Sequence, residues 1–145
     1  MRIQDKAQFD KENVFGLGQP NTAYARYFTG NSYLNPLTKA GECPVFLANV
    51  TFEPGCRNNW HIHHADKGGG QMLIGVAGRG WYQEEGKAAV EILPGTVIHI
   101  PAGVKHWHGA AADSWFAHLA FEVPGEKTSN EWLEPVTDDE YGKLQ

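Results

Sequence analysis

Turn signals break this chain roughly every 6 to 12 residues between positions 45 and 125. Pro54-Gly55, Pro94-Gly95, Pro101-Ala102-Gly103 and Pro124-Gly125 are turns, and Glu84-Glu85-Gly86-Lys87 carries the glycine a hairpin needs for positive φ. The segments between them are short and apolar, and they read as strands at 45–52, 71–77, 80–83, 88–93, 97–100, 105–109 and 115–123. Ala23 to Thr29 is expected to be a further strand near the start of the sheet. Eight or nine short strands with hardly any helix predict an all-β sandwich or small closed barrel.

The ends are expected to be accessory, with one domain over 1–145 and its core over about 23–124. Residues 1 to about 22 read as an irregular arm anchored by Val14 and Phe15. From Ser129 the chain reads as a polar tail, with Thr137-Asp138-Asp139-Glu140 suited to cap one helical turn. Leu34 and Leu37 are candidate core contacts in the stretch before the second strand.

A chain of 145 residues is long enough to bury a core without disulfides or a structural metal. The formal net charge of −5 and the scattered lysines and arginines recommend neither nucleic acid nor an anionic membrane as partner. No run of about 18 apolar residues exists to span a bilayer, and no apolar segment follows the first residues. The cytoplasm is the expected compartment, with Cys43 and Cys56 as reduced thiols.

All seven histidines fall between positions 61 and 118. His61 and His63 are two residues apart, so on a strand both imidazoles project from one face. His106 and His108 repeat that arrangement. Converging neutral imidazoles make a metal site, whereas His64 should face away and His99 lies outside both pairs.

The two histidine pairs sit in stretches that resemble the paired motifs of the cupin superfamily. Gly55, His61, His63, Gln71 and Gly78 follow the first motif in order, and Gly95, Pro101, Gly103 and His106 follow the second. The chain departs from the general pattern in three places. Seven residues rather than three or four separate His63 from the fourth position, Gln71 replaces the usual glutamate, and Ala110 stands where asparagine often closes the second motif. From about Tyr27 onward the sequence is also similar to small bacterial monocupins catalogued with carboxymuconolactone decarboxylases. The resemblance rests on Val50-Thr51-Phe52-Glu53-Pro54-Gly55, on Lys105-His106-Trp107-His108-Gly109-Ala110-Ala111, and on Glu134-Pro135-Val136-Thr137-Asp138. That group includes manganese-dependent cupin hydroxynitrile lyases, which also use glutamine as the fourth ligand.

The resemblance implies a single cupin (jelly-roll) barrel, homodimeric or homotetrameric, with one divalent metal per chain held by His61, His63, Gln71 and His106 in its mouth. Hard oxygen and imidazole ligands suit Mn, Fe, Zn, Ni or Co, and the resemblance leans to Mn. His108 and His118 are candidate acid–base groups. Ala48, Val50, Glu122 and Lys105 are candidate pocket residues, and Asp66 to Gly70 is a candidate mobile lid. The implied activity is lyase chemistry on a small hydroxylated substrate. Dioxygenase, isomerase or decarboxylase chemistry at the same site, and non-catalytic binding of a small molecule, are the alternatives.

Overall fold

The computed structural model describes residues 2–144. Two twisted antiparallel sheets pack face to face. The first has six strands in the order β1 (Gln19–Pro20), β3 (Ser32–Pro36), β4 (Leu47–Phe52), β13 (Phe116–Glu122), β8 (Gln71–Gly78) and β11 (Val97–Ile100). The second runs β10 (Val90–Ile92), β9 (Gly80–Glu84), β12 (His106–Ala110), β5 (Arg57–Asn58) and β2 (Phe28–Thr29). Strand β6 (His61–His64) joins this sheet by pairing with both β12 and β15 (Ser129–Trp132), and a separate ribbon pairs β7 (Lys67–Gly68) with β14 (Gly125–Glu126). The chain is an all-β barrel of the jelly-roll type with two short helices.

Alternation along the strands places the core. Phe52, Leu73, Tyr82, Ile92, Ile100, Ala110 and Phe116 point between the sheets and form one buried cluster. The residues next to them point outward, and each outer face is covered by one end of the chain. Helix α1 (Lys6–Glu12) lays Phe9 against Trp115 and Ala117 on the back of the six-stranded sheet, with Ile3 beside it. Helix α2 (Asp138–Gly142) and Val136 cover Trp60 and Trp107 on the back of the other.

Several expectations for the ends need correction. The N-terminal arm is ordered: Asp5 caps α1 by accepting from Gln8 N at 2.8 Å, and Lys, Ala, Gln and Glu are good helix formers. Its anchors are Ile3 and Phe9, while Val14 and Phe15 are exposed, Val14 at 77%. Only Phe28–Thr29 of the expected first strand is extended, because a 3-10 turn takes up Ala25–Tyr27. Leu34 is half-buried in β3, and Leu37 is exposed. The glycine-rich segment follows a defined path: Gly68, Gly69 and Gly70 all take positive φ, and Gly68 pairs with Gly125. The capped turn at Thr137 forms as expected, with Thr137 and Glu140 exchanging both bonds of a capping box. Cys43 is exposed, Cys56 buried, and both are free.

Candidate metal centre

Strands β6 and β12 lie side by side with His61 opposite His106. Alternation then turns His61, His63, His106 and His108 to the barrel interior, and all four are buried. His64, the neighbour that must face outward, is exposed and lies 2.8 Å from Glu131 Oε1. His99 is exposed on β11.

His61, His63 and His106 each offer a ring nitrogen within 4.8 Å of the others. Their other nitrogens are occupied. Nδ1 of His61 is 2.9 Å from the Asn59 carbonyl, Nδ1 of His106 is 2.9 Å from the Val104 carbonyl, and Nδ1 of His63 is 2.7 Å from Asn130 Oδ1. An acceptor at Nδ1 places the proton there and leaves the Nε2 lone pair free, the arrangement seen in metal-bound histidines. His106 Nε2 is buried with no hydrogen-bond partner among the described residues, which is costly unless a ligand takes its lone pair. Gln71, the first residue of β8, puts Oε1 3.2 Å from His63 Nε2 and adds a hard oxygen to the cluster. Burial and the neighbouring His106 hold His61 well below the usual histidine range, and burial takes His106 down to about 4. At neutral pH these lone pairs are therefore available, and the residues fit a divalent transition metal.

His118 arrives from β13, where a bulge at Val76 of β8 shifts the register between Ala117 and His118. Its Nε2 lies 2.9 Å from His108 Nδ1, so the two imidazoles share a proton across one hydrogen bond. Both are buried, and burial lowers His108 well below its ordinary value and His118 to about 4. Asn58 on β5 holds His108 from a third side: its Nδ2 lies 3.2 Å from Nε2 and its Oδ1 accepts from the His108 backbone N–H.

A cavity of about 640 Å³ opens above these groups. Ala48 and Val50 line it, as do His61, His63, Gln71, His108 and His118, with Glu122 at the mouth. Tyr24, Phe28, Phe46, Phe121 and Trp132 add five aromatic rings to its wall, among aliphatic and small polar residues. Lys105 does not line this cavity. It lies outside the barrel, 2.8 Å from Glu85 and paired also with Glu134, because Lys105 and His106 are adjacent in the chain and face opposite sides.

Three residues around the histidines escape sequence reasoning. Asn58 lies outside any apolar alternation, and Asn130 and Trp132 belong to a segment that looks like a polar tail. Trp132 stacks on His61 with ring centroids 4.5 Å apart. Only the pairing of β15 with β6 brings them there, and no local pattern announces it.

A jelly-roll barrel whose mouth gathers His61, His63 and His106, with Gln71 beside His63, has the architecture of a cupin whose histidines could bind a metal. Residues 48–120 match the sequence profile of the cupin domain, and the chain belongs to the cupin family. It is 44% identical over 119 residues to the (R)-mandelonitrile lyase of Granulicella tundricola, covering 81% of this chain and 87% of the relative. Among solved structures it is similar to a cupin-like protein from Thermotoga maritima, with a TM-score of 0.76 and 36% identity over 90% of this chain and 95% of the other. A cupin 2 conserved barrel domain protein from Rhodopseudomonas palustris shares the fold, at a TM-score of 0.62 and 15% identity over 87% and 81% of the two chains.

Proposed function

We propose that this cupin is a metal-dependent lyase of the hydroxynitrile-lyase type, with His61, His63, Gln71 and His106 as metal ligands and manganese as the ion. The observation behind this reading is the pairing of a histidine cluster fit for a metal with a second histidine pair in the same aromatic-walled cavity. The 44% identity to an enzyme named (R)-mandelonitrile lyase directs it to cyanohydrins.

A bound divalent ion would supply Lewis acidity to a substrate hydroxyl oxygen. Three neutral imidazoles and an amide leave the charge of such an ion unneutralised, which favours an oxygen carrying negative charge. The aromatic wall takes the apolar part of the substrate and keeps water away. His108 Nε2 takes the hydroxyl proton in exchange for its contact with Asn58 Nδ2, while the proton on His108 Nδ1 passes to His118 Nε2 over their 2.9 Å hydrogen bond. As the carbonyl forms, the carbon–carbon bond breaks and cyanide leaves with its electron pair. The histidine pair then returns the proton to cyanide, releasing hydrogen cyanide and an aldehyde. Because burial makes both histidines weak bases when no ion is bound, the pair can act only on a hydroxyl already made acidic.

The deciding experiment measures metal content and then assays aromatic cyanohydrin cleavage on the same preparation while monitoring oxygen. Manganese with cyanide release and no oxygen uptake is the expected result. Bound iron with oxygen consumption would replace the lyase by a dioxygenase, and metal with neither activity would leave a cupin of unassigned substrate. His108→Ala should keep the metal and lose at least 100-fold in turnover, the usual scale of a general acid–base group. Light scattering should find the homodimer or homotetramer that the family resemblance implies.

A further inference from the structure

The three clustered histidines are not fixed by the same kind of partner. Backbone carbonyls, of Asn59 and Val104, receive the Nδ1 protons of His61 and His106. A backbone carbonyl cannot turn round, so these two tautomers are set by the fold. His63 depends instead on the side-chain amide of Asn130, directly opposite it on β15. An amide rotated by half a turn would present its NH2 to Nδ1. The imidazole proton would then move to Nε2 and block the nitrogen that faces His61 and His106.

Glu122 prevents that rotation. Its Oε1 lies 2.8 Å from Asn130 Nδ2, and a carboxylate can only accept. The NH2 of Asn130 must therefore face Glu122, its carbonyl oxygen must face His63, and the proton of His63 must sit on Nδ1. Glu122 itself stands on β13, a different strand from both, so the order runs from one sheet across the mouth to the other. We infer that Glu122 and Asn130 are positioning residues that set the tautomer of His63 and thereby complete the metal site. The inference rests on the metal-site reading above, and it gives Glu122 a task besides lining the substrate cavity.

The effect on affinity should be at the lower end of what outer partners contribute. Both residues are exposed, Glu122 by 51% of its side chain, and water can replace part of a lost acceptor. Removing the partner of a metal-bound histidine weakens binding by about 10- to 100-fold. The expectation here is about tenfold.

The test reads the tautomer and the affinity separately. Nitrogen-15 spectra of histidine-labelled, metal-free protein report which ring nitrogen of His63 carries the proton, and competition with a chelator reports Mn(II) affinity. Thermal melts establish that each variant is folded. Wild type should show the Nδ1–H form. Asn130→Leu should give mixed tautomers and bind Mn(II) about tenfold more weakly. Glu122→Gln should also mix the tautomers, because two amides can flip together. The paired exchange Glu122→Gln with Asn130→Asp keeps the charge and restores a fixed acceptor against His63, so both readouts should return towards wild type. A pure Nδ1–H form with unchanged Mn(II) affinity in Asn130→Leu would overturn the inference, as would an exchange variant no better than Asn130→Leu. Wild type with the Nδ1–H form but no bound metal would sink the metal reading and leave the tautomer control standing.

Discussion

The histidines of the barrel mouth carry two distinct properties at the scale of single residues. For His106 the fact that matters is a buried Nε2, facing the histidine cluster, with no hydrogen-bond partner among the described residues. His106→Ala should therefore remove most bound metal from a barrel that still folds, as read by elemental analysis and circular dichroism; unchanged metal content would take His106 out of the ligand set. For His118 it is the low basicity that burial imposes, about 4 against an ordinary 6.5. Between those two values the unfolded chain binds a proton at this residue and the folded chain does not. Stability contributed by neutral His118 is thus complete above pH 6.5 and is lost as pH falls towards 4. The difference corresponds to about 3 kcal/mol across that window. In metal-free protein, denaturant titrations from pH 7 to 4.5 should show a shallower decline for His118→Gln than for wild type, and equal slopes would refute the assignment.

At the level of strands and turns, β8 and its entry are the sensitive point. Gly70 takes φ +94°, and a Cβ there would lie 2.2 Å from the Ile100 carbonyl oxygen on the neighbouring strand. The next residue is Gln71. Gly70→Ala should cost about 3 kcal/mol and displace Gln71, so both melting temperature and metal affinity should fall; wild-type values for both would contradict the geometry. The central strands were legible in the sequence because their alternation is local: Phe116, His118 and Ala120 face in, Ala117 faces out, and proline–glycine turns bound them. The two His-x-His pairs were legible for the same reason. Strand β15 was not, since Ser-Asn-Glu-Trp shows no apolar period and owes its conformation to pairing with β6 some 67 residues away. Helix α1 does leave a trace in Asp5 and the helix formers after it, but Val14 and Phe15 form an adjacent apolar pair whereas Ile3 and Phe9 stand singly among polar residues. Lys105, a candidate for the cavity mouth or an exposed lysine, pairs with Glu85 outside the barrel, since the strand neighbour of an inward histidine points the other way.

For the whole molecule, a continuous apolar cluster between the sheets is formed by side chains other than the proposed metal ligands, so the chelated protein should remain folded. Adding Mn(II) at about 100 times its dissociation constant should then stabilise the fold by about 2.7 kcal/mol, a rise on the order of 5–10 °C in melting temperature. A chelated protein that unfolds outright would show instead that the ion is structural. The acceptors behind His61, His63 and His106 give this independence a further consequence. The nitrogens are aimed before any ion arrives, so occupancy is decided by what the surroundings offer and not by a folding step that could select. Divalent copper, nickel and zinc bind such ligands more strongly than manganese does. The same chain produced in media of different trace-element content should emerge as different holoproteins, and its activity would record the supply it met while it was made.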